Sequence, residues 1–253
     1  MKRTADNGYI SRFLIHWTGT DGHGRVVDAK GARILSLIAS TRRLLLSYNP
    51  VYKRDWSHEV HEKMVCFTDV PIRRSAAHCS RYGRFGIAFR KLPLMNVGAQ
   101  PVFYVTHVWK KDLDAIFEFL QSEVRQSTID AGLLRALLHH FYFTQHFSKG
   151  RADRSDTYYY EREWRLGAQS LPTAEELQRD NAKWRCVQEG YPSYIDRRIG
   201  IRVVEDEEEY FAFEETPVAF LVSPADWRDR IDNPHGFEVR DYESLVMQSR
   251  QED

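Results

Sequence analysis

The apolar positions of this chain follow two rhythms. Short apolar runs, bounded by turn residues or alternating with polar ones, mark strands at 13–18, 44–46, 64–71, 85–89, 101–105, 158–166, 200–204, 210–213 and 218–222. Apolar residues spaced three and four apart mark helices over about 28–40, 111–124 and 129–147, the last with Leu133, Leu134, Leu137, Leu138 and Phe141 along one stripe. Asp28 is placed to cap the first helix. A turn of helix fits 73–81 after the strand-ending Pro71, and a short polar helix fits 173–183 behind Pro172-Thr173. Tyr48-Asn49-Pro50 reads as a turn, 94–98 as a connector and 148–156 as a polar loop that delivers the chain into the strand at 158–166. Strands at both ends, helices between, no repeat and no Gly/Ser linker predict one α+β domain over 1–253. Its expected core is a mixed, mostly antiparallel sheet with helices packed on it, and 1–8 and 248–253 are expected to fray.

The strand at 158–166 has the least ordinary pattern. Alternation puts Glu161, Glu163 and Arg165 on one face with Tyr159, and Tyr160, Arg162, Trp164 and Leu166 on the other. Two carboxylates and a guanidinium in a row on a half-aromatic strand are costly to bury unless they pair or meet a ligand. That face is either a site or a solvated ladder of charges at a sheet edge. His16 and Thr18 pose the same question, since they share one face of the apolar run Phe13-Leu14-Ile15-His16-Trp17-Thr18 and need hydrogen-bond partners there.

Composition narrows the function classes. The 253 residues carry 36 basic and 36 acidic side chains, so the molecule as a whole is not an electrostatic nucleic-acid binder. The charges are unevenly placed: 72–91 holds Arg73, Arg74, Arg81, Arg84, Arg90 and Lys91 with no acid, whereas 205–209 and 214–215 are acidic. The basic run could meet phosphates, with the acidic block as its cover or as a partner surface. No segment approaches the roughly 18 unbroken apolar residues of a membrane span. Cys66, Cys79 and Cys186 form neither a disulfide framework nor a zinc pair, and the polar amino terminus leads into no export signal. A soluble, cytoplasmic protein without a metal is expected.

The order of these signals resembles a known family. Arg12-Phe13-Leu14-Ile15-His16-Trp17-Thr18-Gly19, its helix, Val65-Cys66-Phe67-Thr68-Asp69-Val70-Pro71, Tyr82-Gly83-Arg84-Phe85-Gly86-Ile87-Ala88-Phe89 and Glu161-Arg162-Glu163-Trp164-Arg165 together look like the AbiGi family of abortive-infection phage-resistance proteins, described as antitoxins. More distantly, the same order resembles the ADP-ribosyltransferase fold of DarT-type enzymes. That second resemblance implies an ADP-ribosyltransferase-like fold and NAD as substrate, with a nucleic acid or a protein as acceptor. It also implies roles: His16 and Thr18 would hold the nicotinamide ribose and carboxamide, Thr68 and Tyr82 would flank the ring, and Arg73, Arg74 or Arg81 would meet the pyrophosphate. Glu163 would bind the ribose 2′-hydroxyl and Glu161 would orient or deprotonate the nucleophile. A fixed carboxylate of this kind favours the positively charged transition state over the ground state. Two functions therefore stand at the sequence level. One is an NAD-dependent transferase, a glycosyltransferase of antiviral defence. The other is a non-catalytic antitoxin or sensor of the same toxin–antitoxin system, which binds a protein or nucleic-acid partner. Convergence of His16, Tyr82 and Glu163 on one cleft would separate them.

Overall fold

Strand β1 (Phe13–Thr18) has neighbours on both sides. On one, β4 (Phe85–Arg90) runs antiparallel from Phe13↔Arg90 to Thr18↔Phe85. On the other, the long strand β3 (His58–Thr68) meets it at Ile15↔Thr68. The remaining strands are β2 (Arg43–Asp55), β5 (Gln100–Pro101), β6 (Phe103–Val105), β7 (Thr144–His146), β8 (Glu163–Gly167), β9 (Ile201–Glu205), β10 (Glu208–Ala212), β11 (Val218–Ser223) and β12 (Val239–Asp241). The helices are α1 (Asp28–Thr41), α2 (Ala76–Tyr82), α3 (Lys91–Asn96), α4 (His107–Gln126), α5 (Ala131–Tyr142) and α6 (Tyr242–Met247). The computed structural model describes residues 11–247 apart from 22, 56–57, 106, 127–128, 147–161, 172, 174, 176–199 and 216.

A 10-stranded sheet runs β12-β11-β4-β1-β3-β2-β10-β9, with β8 on the remaining edge of β3 and β5 on β8. Its pairings are antiparallel except β11 with β12, and β6 and β7 form a separate parallel pair. The fold is α+β, as the patterning predicts. β3 organises it: Met64 pairs with both Ser47 of β2 and Gly167 of β8, and Thr68 pairs with both Ile15 of β1 and Glu163 of β8. Thus β2 and β1 share one edge of β3, one after the other, while β8 takes the opposite edge. The sheet forks where β2 ends and β1 begins.

The two faces follow from the alternation. One buries Leu14, Val65, Phe67, Phe85, Ile87, Phe89 and Leu166 against Leu35 and Ile38 of α1. The other carries Ile15, Trp17, Ala88, Phe220 and Val222 with Cys79 of α2 and Tyr242 and Leu245 of α6, and Met64 with Tyr142 and Phe143 at the end of α5. Burial of a side chain such as Phe85 or Leu35 contributes roughly 1.5–3 kcal/mol.

Several elements differ from the sequence reading for identifiable reasons. Asp28 is the first helical residue of α1 instead of its cap; Val27 holds the cap position, and the Asp28 carboxylate turns to Arg84. The turn expected at Tyr48-Asn49-Pro50 is strand, because β2 continues as a long hairpin with β3. The register shifts between Pro50 and Tyr52, an irregularity of the kind that admits proline to a sheet. The stretch 101–105 divides, its first part pairing with β8 and its second with β7, so it does not form one strand of the main sheet. The connector at 94–98 begins inside the short helix α3. Helix α5 starts after Asp130, whose carboxylate accepts the Leu133 N–H, and stops at Tyr142 instead of continuing to 147. There Thr144 donates its hydroxyl to the His140 carbonyl and the Phe143 carbonyl accepts the Phe103 N–H, so the chain leaves the helix as β7. β12 and α6 were not foreseen, although Asp241, which accepts both the Glu243 N–H and the Ser244 hydroxyl, is a capping signal. The expected helix at 173–183 and the tails at 1–8 and 248–253 lie outside the described residues, Thr173 and Glu175 excepted.

Candidate functional site

Strand β8 places Glu163 opposite Thr68 and Arg165 opposite Cys66, so the two charged side chains share a face, as the alternation requires. Trp164 and Leu166 take the other face, beside Phe67 and Val65. Arg165 is 4% exposed. All five of its N–H donors are directed at acceptors. Nε donates to Glu163 at 2.9 Å and Nη2 to the second Glu163 oxygen at 3.3 Å. Nη1 donates to the Tyr142 carbonyl at 2.8 Å and faces the Thr144 carbonyl at 3.5 Å, and Nη2 also reaches Gln145 Oε1 at 3.0 Å. Burial alone would lower the Arg165 pKa; the Glu163 carboxylate more than offsets it, and the guanidinium stands above its ordinary value. The pair ties β8 to the end of α5 and the start of β7.

His16 lies elsewhere. Partners in a ladder project to the same side, so Glu163, Thr68 and Ile15 point one way and His16, next to Ile15, points the other. Its ring meets Phe67 edge-on at 6.2 Å, on the face of Leu14 and Trp164. His16 Nδ1–H donates to the Cys66 carbonyl at 2.9 Å. In the fork of the sheet, the side chain thereby takes the place of the backbone donor that a continuous ladder would supply. Burial lowers the His16 pKa and the Cys66 hydrogen bond opposes this only in part, so the ring is neutral near pH 7, with Nε2 unprotonated. Thr18 shares this face and is half-buried.

Tyr82 is on the side of Ile15, packed at the rim of the Ile15, Trp17 and Cys79 cluster with its ring 6.1 Å from His78. Thr68 is buried, and its hydroxyl accepts the Val70 N–H. Arg73 and Arg74 occupy a 3-10 turn (Ile72–Arg74) and Arg81 the last turn of α2. Glu161 lies outside the described residues. Thus the register brings Glu163, Thr68 and Tyr82 to one side of the sheet and His16 with Thr18 to the other. The set implied for NAD is not presented to one cleft, and Glu163 already holds a guanidinium. Among the described residues no group of three or more His, Cys, Asp and Glu is arranged to hold a metal, and no helix is long and apolar enough to cross a membrane.

Sequence reasoning passed over Asp69 and Glu62 as polar groups of the core. Asp69, buried at the end of β3, sits between Arg162 at 2.7 Å and Lys91 at 3.2 Å, and Lys91 lies 5.1 Å above the Trp164 ring. Glu62 is 7% exposed, four residues before Cys66 on the same face of β3. It accepts from Gln169 Nε2 at 3.3 Å, and the same amide lies 3.2 Å from the Tyr142 hydroxyl. Only its place in the strand could have marked Glu62, since Gln169, which donates to it, comes from 107 residues away along the chain.

Burial raises the Glu62 pKa above its ordinary 4.5, against the pull of the Gln169 contact. The folded protein therefore holds this proton to higher pH than the unfolded chain, and stability falls as pH rises from about 4.5 through the folded-state pKa. Glu62→Gln keeps an acceptor for Gln169 and removes the ionisation. Thermal melts of parent and variant should coincide near about pH 4 and separate toward about pH 7, with the variant melting later. Parallel melting curves across that range would show that Glu62 is not strained by its charge.

Compared with known proteins, the chain matches one family, described as "Putative abortive phage resistance protein AbiGi, antitoxin", over residues 46–189. The match runs from β2 through β8 and includes Thr68, Tyr82, Glu163 and Arg165, while His16 and Thr18 precede it. No curated protein and no solved structure matches the chain, so the likeness to ADP-ribosyltransferases finds no support there. The match covers more than half of the sequence, and the chain belongs to the AbiGi family of abortive phage resistance proteins.

Proposed function

We propose that this chain acts in abortive infection as a non-catalytic antitoxin that binds a cognate toxin protein. The carrying observation is the Arg165 clamp. A carboxylate that accepts two N–H groups from a buried guanidinium is committed to structure and has lost the isolated negative charge that a ribose-binding catalyst needs. The opposed directions of His16 and Glu163 support the same reading, as does the family's description.

The test uses NAD itself. Purified protein incubated with adenylate-labelled NAD and cell extract should neither hydrolyse nor transfer the label. Glu163→Gln, which weakens a buried ionic hydrogen bond, should lower stability by about 1–3 kcal/mol. NAD turnover by the parent that Glu163→Gln abolishes at an unchanged melting temperature would instead establish the transferase. Phage plating on cells that express either form gives the cellular readout.

A further inference from the structure

Helix α4 buries one side and leaves large apolar side chains on another. Phe117 and Leu120 turn inward to Phe141 of α5, whereas Trp109 is 64%, Phe119 58% and Ile116 45% exposed. Trp109, Asp112, Ile116 and Phe119 follow one another at steps of three, four and three residues, so they form a single seam ~15 Å long with the spacing through which helices pair. Phe103 of β6 and Leu133 of α5, the elements before and after α4, are exposed as well. A continuous row of exposed aromatic and aliphatic groups marks a contact surface.

The order of residues along the seam says what covers it. An aromatic ring stands at each end, with Asp112 and Ile116 between them. When the seam is laid antiparallel on its own copy about a two-fold axis, Trp109 meets the partner's Phe119 and Asp112 meets the partner's Ile116, so every position finds a counterpart. A parallel pair would set the two Asp112 carboxylates face to face, which like charges disfavour; the antiparallel pair holds them ~6 Å apart along the axis and opposes the helix dipoles.

We propose that α4 pairs antiparallel with α4 of a second copy of this chain. An aromatic side chain covers about 150–250 Å², so the exposed parts of Trp109, Ile116 and Phe119 come to roughly 300 Å² per copy and roughly 600 Å² in the pair. With the polar rim that surrounds such a core, the contact reaches the lower end of specific interfaces, about 1,200 Å². That size gives a weak dimer that forms with concentration. Asp112, exposed in the single chain, loses water against the partner's Ile116; one polar residue in such a seam fixes its register at a cost in affinity. The inference goes beyond the antitoxin reading and does not rest on it.

Sedimentation equilibrium of the full chain from about 1 to about 200 µM reads the association directly, since the weight-average mass should climb from one chain toward two across a range in which weak specific interfaces form. Phe119→Ser or Trp109→Ser should weaken the dimer at least ~30-fold, because each change removes an aromatic anchor from both copies. Asp112→Asn should tighten it about 10-fold, a gain that a misfolded variant could not produce. Leu37→Ser, which alters an equally exposed apolar residue on α1, should leave the dimer constant unchanged. A single-chain mass at every concentration overturns the inference and leaves the α4 face to an unlike partner. A dimer that the Phe119 and Trp109 variants leave intact overturns it too, and a dimer that Asp112→Asn fails to tighten overturns the antiparallel pairing on which it stands.

Discussion

Arg165→Met should cost about 3–5 kcal/mol of unfolding free energy, read as a fall in the denaturation midpoint at constant slope. The substitution leaves the Glu163 carboxylate half-buried without its cation. It also takes the guanidinium donor away from the Tyr142 and Thr144 carbonyls. Breaking one side of a buried pair is the expensive operation, whereas replacing both partners with apolar groups is often close to neutral. Adding Glu163→Leu to Arg165→Met should therefore recover part of the loss. Recovery stays incomplete, because the Tyr142 and Thr144 carbonyls still lose the guanidinium that donates to them. Arg165→Lys should sit between parent and Met: an ammonium has three donors and no planar fork, so it cannot serve Glu163, Tyr142, Thr144 and Gln145 together. Stability within ~1 kcal/mol of the parent for Arg165→Met would mean that the clamp is solvated in solution. Glu163 would then be free for chemistry, and the antitoxin proposal would lose its carrying observation.

How much of this site the sequence reveals depends on the range of the interaction. Alternation within a single strand is local, and it correctly put Glu163 with Arg165 and Trp164 with Leu166 on opposite faces. Whether His16 faces Glu163 is not a local question. It depends on whether Ile15 or His16 stands opposite Thr68, a register between residues about fifty apart that a shift of one position would invert. The partners of Arg165 were hidden for a related reason. Two of them are backbone carbonyls, exposed because α5 stops at Tyr142, and the stop depends on Phe103 drawing Phe143 toward β6. Helix periodicity, which continued to 147, gives no sign of that. The basic run at 72–91 was legible as composition; that Lys91 and Arg162 share Asp69 required the pairing of β3 with β8.

Gly83→Ala should be among the most damaging single-atom changes in the protein, at about 3 kcal/mol or more by urea unfolding. Gly83 ends α2 at φ 104 and ψ 168, a region of backbone space that is essentially reserved for glycine. A methyl group there would also lie 2.3 Å from the Thr18 carbonyl oxygen and 3.0 Å from Gly19 Cα. At Gly83 the approach to the end of β1 is between backbone atoms, and neither side can yield without moving the ladder from Thr18 to Phe85. Gly24 separates the two costs. Its φ is 75, yet a Cβ there meets nothing within 4 Å, so Gly24→Ala should carry the conformational strain only, about 1 kcal/mol. Gly31→Ala gives the opposite control. Its backbone is helical and unstrained, but the new carbon would sit 2.4 Å from the buried Phe85 ring, so its cost of about 1–3 kcal/mol measures overpacking. Gly83 combines both penalties and should exceed either control. If Gly83→Ala proves no worse than Gly24→Ala, the close approach of α2 to β1 is not held in solution. Tyr82 and Arg84, which flank Gly83, would then lose the placement that ties α1, α2 and α6 together through the ion pairs of Arg84 with Asp28 and Glu243.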